Sequence, residues 1–389
     1  MKKIVDVEDL KVRFYTYEGI VKAIEDVSFA IEKGETLGIV GETGCGKTVT
    51  GLSILMLVPP PGKIEGGKVM LSLPSGEQVN LLTAGESTLR EVRGDKVSMV
   101  FQEPNAVLNP VYSIGEQVSE VYLHHRGDEM LRRALDSINK EINNNDRNIL
   151  RMFTLKLERK VYEKMLNDPK AVSLAILNKI PILRRLCSAR LKREVRKEVI
   201  EILREMGMSD PERVVNMYPH ELSGGMQQRA VIAMALACNP ALLIADEPTT
   251  SLDVTIEAQI LDLMRRLKKR FGSSILYITH DMGVIAEMCD RVAVMYAGSI
   301  CEVADVKEIF NNPMHPYTRG LISCIPRPGK EFKSIRGTVP NLIDPPPGCR
   351  FHPRCDFAMD ICKRERPKLV EVSNKHWVAC HLYDGSMEK

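Results

Sequence analysis

Residues 4–14 and 20–31 alternate apolar and polar positions and are rich in β-branched side chains, which predicts two half-buried strands. EKGE at 32–35 reads as a turn, and TLGIV at 36–40 is a short apolar run of the kind found in the buried strands of a parallel sheet. A glycine-rich loop follows. KTVTGLSILMLV at 47–58 is helical in pattern until PPPG stops it. Residues 69–101 hold further short strands. From 114 to 238 helical periodicity dominates, broken by NKEINNNDRN at 139–148, which reads as a loop. The strand ALLIA at 241–245, a helix at about 254–271, the strand SILYIT at 274–279, another helix and the strand RVAVMY at 291–296 complete the pattern. Strands alternating with helices predict an α/β fold with a mainly parallel core sheet and antiparallel N-terminal strands. There is no internal repeat, and DPPPG at 344–348 reads as a linker into a cysteine-bearing tail.

Composition narrows the function classes. With 389 residues, 44% hydrophobic and 27% charged, the chain suits one large globular domain with an appendage, or two domains. Aromatics at 5% argue against a stacking platform for single-stranded nucleic acid. The N-terminus lacks the apolar core of a signal peptide, and no stretch has the length of a membrane span. Work at a membrane therefore requires partners. Charge is uneven: residues 129–200 hold 18 Lys and Arg against 9 Asp and Glu, a local +9 within an overall +3. This basic insert reads either as a solvated helical elaboration or as a surface for anionic head groups or RNA.

GETGCGKT at 41–48 fits G-x-x-x-x-G-K-[ST] between a strand and a helix. Gly41, Gly44 and Gly46 let backbone N–H groups converge on phosphate oxygens, while Glu42, Thr43, Cys45 and Val49 complete the loop and the start of its helix. Lys47 is placed to reach the β- and γ-phosphates, and the Thr48 hydroxyl to bind Mg²⁺. ALLIADEP ends in two acids. Asp246 at the strand end suits Mg²⁺, and Glu247 suits the attacking water. No guanine-reading N-K-x-D occurs, so the nucleotide is read as ATP.

LSGGMQQR at 222–229 supplies Ser223, Gly224, Gly225 and Met226 at a second helix start, 176 residues from Lys47 to Ser223 and 23 more to Asp246. With this element the chain resembles ABC-transporter ATPases. The resemblance implies a head-to-tail pair of cassettes, each signature covering the ATP on the partner's phosphate loop. It also implies that Gln102, in VFQEP, touches Mg²⁺ and water, that Asp253, in SLD, lies at the dimer seam, and that His280, in ITHD, contacts the γ-phosphate. The adenine is expected to stack on Tyr17, with Tyr15 as a competitor in the same loop. YPHELSGGM, IADEPTTSLDVTIEAQI, MYAGSI and HPYTRGL look like the dipeptide/oligopeptide importer subfamily, over most of 1–128 and 201–389 but not over the insert.

Ten cysteines include four close to the C-terminus, Cys349, Cys355, Cys362 and Cys380, spaced C-x5-C-x6-C-x17-C, while the other six are scattered as in a reducing compartment. The tail lacks the C-x2-C knuckle usual for structural zinc, and four thiolates suit an iron–sulfur cluster at least as well. His352, His376 and His381 are alternative ligands. Resembling importer subunits carry a 4Fe-4S cluster at a similar cysteine set, which favours that cluster over zinc. The expected organisation is a cassette over 1–328, with a helical subdomain at about 104–222, and an extension over 329–389 holding the cysteine site. The resemblance implies a catalytic Glu247, Lys47, Gln102 and His280. It implies a second homologous ATPase subunit in a heterodimer, two transmembrane permeases and an extracellular substrate-binding protein. The expected place is the cytoplasmic face of the membrane, the cargo di- or oligopeptides, with oligosaccharides or nickel as alternatives. A soluble ABC ATPase acting on ribosomes or DNA is the rival class, and no nucleic-acid partner is expected.

Overall fold

Val5, Val7, Leu10 and Val12 are buried along β1 (Lys3–Thr16), and Ile24, Val27, Phe29 and Ile31 are buried along β2 (Gly19–Glu32), so the two strands pair antiparallel with one apolar face. The computed structural model describes residues 2–73, 76–143, 149–167, 181–250, 252–325 and 334–383. After β3 (Thr36–Val40) the chain returns in β4 (Gly62–Ser72) and β5 (Gln78–Asn80), giving an antiparallel sheet of order β2-β1-β4-β5.

The second sheet has eight strands in the order β11 (Val370–Ser373), β12 (His376–Val378), β10 (Ser299–Asp305), β9 (Arg291–Tyr296), β3, β8 (Ser274–Thr279), β7 (Leu242–Asp246) and β6 (Val97–Val100). Its centre is parallel: β6 (Val97–Val100), β7 (Leu242–Asp246), β8 (Ser274–Thr279), β3 and β9 (Arg291–Tyr296). These strands are apolar on both faces, as a sheet covered on both sides requires. Leu37, Ile39, Leu242, Ile244, Leu276 and Ile278 join Val5, Leu10 and Ile31 in one core. Each such side chain contributes on the order of 2 kcal/mol on burial. The mixed α/β architecture expected from the alternation is present.

Two element ends differ from the pattern. The first helix spans Lys47–Ile54 and does not run to residue 58. Met56 sits at φ 54° and the prolines at 59–61 disfavour helix in the residue before them, so the apolar run ends in a turn. β7 is shifted by one residue and carries Asp246 as its last position.

Beyond β10 (Ser299–Asp305), the tail adds two antiparallel strands to the main sheet. β11 (Val370–Ser373) pairs with β12 (His376–Val378), and β12 pairs with β10. The stretch before them is anchored: the Lys22 amide donates to the Leu342 carbonyl at 2.8 Å, two residues before the DPPPG segment.

The chain divides into two compact units, one of residues 1–102 with 239–389, the other of 103–238. The second is helical, with Ile114–Asn143, Ile149–Asn167, Pro181–Glu205 and Gly224–Leu236. The helix Ile114–Asn143 continues five residues into the expected loop, whose remainder at 144–148 lies outside the described residues. The basic insert has a small core of its own, Leu131, Ala134, Ile138, Leu155 and Tyr162. Part of its charge is internal: Arg190 donates to Glu141 at 2.6 Å, to Ser137 at 3.1 Å and to Glu158 at 3.2 Å. Among the described residues no helix is long and apolar enough to cross a membrane.

Candidate nucleotide site

Strand β3 is buried at all five residues and held in parallel register by β8 on one side and β9 on the other, so its end delivers the chain to residue 41 in a fixed direction. The loop then needs its glycines. A Cβ at Gly41 would stand 2.0 Å from the Met295 carbonyl oxygen, and Gly46 adopts φ +101°, which L side chains avoid. The helix Lys47–Ile54 has no side-chain cap on its first amides, so those N–H groups are free to meet an anion. Lys47 is 5% exposed, and its Nζ donates to the Gly41 carbonyl at 2.8 Å and the Glu42 carbonyl at 3.3 Å. Thr43, Gly44 and Thr48 are exposed, and Val49 packs half-buried against the core. Cys45 offers only backbone to the site: its side chain lies in the core, where burial pushes the thiol up to about 11.

Opposite the loop stands β7. Thr48 Oγ1 donates to Asp246 Oδ1 at 3.2 Å, which brings together two of the three groups expected at Mg²⁺. Asp246 is 2% exposed, and burial lifts its carboxyl to about 6. Nearby Glu247 pushes in the same direction, and Thr48 and Lys47 oppose it. A hydroxyl beside a carboxylate starved of solvation fits a hard cation with oxygen ligands.

Glu247 adopts φ 45°, and its amide turns back to donate to the Ile278 carbonyl at 2.8 Å. A non-glycine residue in this region is held there at a cost of about 1–2 kcal/mol. The turn aims the carboxylate at three groups. Gln102 Nε2 donates to one carboxylate oxygen at 3.2 Å and Thr250 Oγ1 to the same oxygen at 2.9 Å, while His280 Nδ1 lies 3.2 Å from the other. Gln102, Glu247 and His280, far apart in sequence, thus meet at the end of β7. Thr250 was missed, although its place three residues after Glu247 in DEPTT was a usable signal.

At the hairpin joining β1 and β2, Tyr17 is 97% exposed with its ring free, whereas Tyr15 is 44% exposed, donates its hydroxyl to Glu65 and has Lys63 over its ring. Asp253 caps the helix Val254–Phe271 by accepting from the Ile256 amide at 3.0 Å, and Ser251 lies outside the described residues. In the helical unit Ser223 caps the helix Gly224–Leu236, accepting from the Met226 amide at 3.4 Å. Ser223 and Gly224 are exposed at this helix start, and Gly225 and Met226 are half-buried. Buried Gln227 braces the turn by donating to the Pro219 and Leu222 carbonyls.

The four tail cysteines are free thiols. Burial, more than any neighbour, pushes Cys380 up to about 12, and Cys349, Cys355 and Cys362 each add to the rise. Cys349 rises to about 11 from burial, with Cys362 and Cys355 adding. The backbone also joins them, since the Cys349 amide donates to the Cys362 carbonyl at 2.8 Å. Among the described residues no group of three or more His, Cys, Asp or Glu side chains stands ready to hold a metal ion. The three histidines are engaged elsewhere: His352 with the Cys349 carbonyl, His376 with Glu302 and His381 with the Glu365 carbonyl. A cavity of about 570 Å³ opens beside Cys349, lined also by Cys301, Arg350 and Arg366.

Comparison with known proteins agrees with this geometry. Residues 24–250 match the ABC transporter family, and residues 301–362 match the C-terminal region of oligopeptide/dipeptide transporters. A probable peptide ABC transporter ATP-binding protein of Sinorhizobium fredii is 42% identical over 97% of this chain and 94% of its own length. The dipeptide transport ATP-binding protein DppD of Bacillus subtilis is 39% identical over 100% of this chain and 97% of its own. The oligopeptide transport ATP-binding protein AppD of the same organism is 39% identical over 99% and 98%. Among solved structures, the dimeric post-hydrolysis form of the cassette MJ0796 with ADP and phosphate is 23% identical. It covers 78% of this chain and 98% of its own with a TM-score of 0.52, a likeness of fold.

Proposed function

The chain belongs to the ABC transporter family of ATP-binding proteins, and from that premise we propose that it hydrolyses ATP to power uptake of di- or oligopeptides through membrane-spanning partner subunits. The observation that carries the chemistry is the convergence of Gln102, Thr250 and His280 on the Glu247 carboxylate, one residue beyond the Asp246 that Thr48 bonds.

In this reading the loop amides of 41–48 and Lys47 hold the phosphates, and Tyr17 stacks on the adenine. Thr48, Asp246 and Gln102 would hold Mg²⁺, which neutralises phosphate charge when bound. Glu247 accepts a proton from the attacking water, and His280 steadies the charge that develops on the γ-phosphoryl oxygens. Gln102 also senses the membrane subunits. Ser223, Gly224, Gly225 and Met226 meet the nucleotide of a second, homologous cassette, with Asp253 at the seam. The full assembly comprises that heterodimer, two permeases and an extracellular binding protein, with this chain at the cytoplasmic face of the membrane. The peptide cargo rests on the relatives, which are named for peptide, dipeptide and oligopeptide transport.

The tail is read as a 4Fe-4S site on Cys349, Cys355, Cys362 and Cys380. Support comes from four free thiols that influence one another electrostatically. When bound, the cluster supplies folding energy to a segment with little core of its own.

Glu247→Gln tests the catalytic assignment. The variant is expected to bind ATP as the parent does and to lose turnover by at least a hundredfold. Hydrolysis within a few-fold of the parent would remove Glu247 from the role of base.

A further inference from the structure

A loop built to bind a triphosphate carries a carboxylate of its own, and the structure supplies its partner from 312 residues away. Arg354 grips Glu42 with both arms of the guanidinium, Nη1 to Oε2 at 2.6 Å and Nη2 to Oε1 at 3.0 Å. Such two-pronged pairs are the strongest and most directional of side-chain ion pairs. The Arg354 side chain is 5% exposed, which removes most of the solvent screening that makes surface pairs weak.

Arg354 is itself held fast. Its Nε donates to the Arg336 carbonyl at 2.8 Å, and Nη1 also reaches the Tyr296 hydroxyl at 3.3 Å. Its guanidinium carbon lies 5.7 Å from the centre of the Tyr296 ring and 6.0 Å from that of Phe351. The rings of Tyr296, Tyr317 and Phe351 pack on one another, and the Tyr317 hydroxyl accepts from the Glu42 amide at 3.0 Å. Glu42 is therefore fixed through both its side chain and its amide. Its carbonyl is one of the two that receive Lys47.

We propose that Arg354 is a positioning residue for the phosphate loop, through which the tail turn bracketed by Cys349 and Cys355 sets the affinity for nucleotide. The proposal rests on reading residues 41–48 as the triphosphate site. Two effects act together. The fork holds the loop in the curl that aims its amides inward, and the guanidinium cancels a negative charge that would otherwise repel phosphate. Removing Arg354 alone leaves that charge uncompensated. Removing Glu42 as well takes the charge away but does not restore the fork, so the second change repairs the first in part.

The test uses the full chain and a fluorescent ATP analogue with Mg²⁺, with the dissociation constant read by titration and KM and kcat by phosphate release. Arg354→Met is expected to raise the dissociation constant about tenfold, with KM rising more than kcat falls. Glu42→Gln, which loses the fork without baring a charge, is expected to raise it several-fold, and the double variant returns from the loss seen in Arg354→Met to that same level. A merely structural Arg354 lowers the melting temperature without that rescue. An unchanged dissociation constant in Arg354→Met, or effects that multiply in the double variant, overturns the proposal. Should both Met-bearing variants fail to fold, Arg354→Lys decides: it keeps the charge without the fork and is expected to weaken binding several-fold, and parental affinity overturns the idea. A parent that binds no nucleotide overturns the triphosphate reading itself, a different outcome from binding that is indifferent to residue 354.

Discussion

Glu302 on β10 and His376 on β12 meet at 2.7 Å, both side chains fully buried, and the same carboxylate accepts the Met314 and His315 amides at 2.8 and 2.9 Å. One carboxylate thus ties the tail strands and the His315–Tyr317 turn to the main sheet. Removing one partner of a buried polar pair costs far more than the pair is worth in net terms. His376→Ala is expected to destabilise the chain by roughly 2–4 kcal/mol, seen as a lower urea midpoint. An unchanged midpoint would show that the tail is not held here.

Asp246 predicts an opposite sign. From the ordinary carboxylate range up to about 6 the folded chain keeps a proton on Asp246 that the unfolded chain has lost, so stability falls as pH rises through that window. The whole cost is present at pH 7. Asp246→Asn, which still accepts from Thr48, is expected to raise stability of the nucleotide-free chain at pH 7 by about 1–3 kcal/mol. The gain should vanish below about pH 4, and turnover with Mg²⁺ should be lost at every pH. Equal gains at pH 4 and pH 7 would refute the burial argument.

Gly41→Ala tests the close approach of the loop to β9. Its Cβ would meet the Met295 carbonyl oxygen at 2.0 Å, and backbone cannot give way as a flexible side chain can. Loss of ATP binding of a hundredfold or more is expected, with a lower melting temperature. Parental affinity would mean that the loop has another conformation.

For the adenine, Tyr17→Ala is expected to raise KM for ATP about three- to tenfold, in line with roughly 1 kcal/mol for a stacked ring. Tyr15→Phe, which only frees Glu65, should leave it unchanged. The reverse ranking would move the stacking role to Tyr15.

Iron, sulfide and zinc analysis of protein purified without oxygen tests the tail. Four irons and four sulfides per chain with a brown absorption band are expected. A colourless sample with one zinc would replace the cluster by a structural clip.

The order of motifs along the chain determined much on its own. GETGCGKT between TLGIV and a helix, LSGGM, IADEP and ITHD were legible because each is a local pattern whose spacing states its chemistry, and the alternation of strands and helices was enough for an α/β fold. What the tertiary structure decided are the relations between distant residues. The exposed ring of Tyr17 and the committed hydroxyl of Tyr15 differ through Glu65 on another strand. Thr250 joins Gln102 and His280 only because Glu247 turns left-handed at the strand end. The tail reads in sequence as a separate cysteine segment, yet its strands continue the main sheet and Arg354 reaches Glu42. Pattern and spacing carry local conformation. Pairing across 312 residues depends on strand order and burial, which no single stretch of sequence contains.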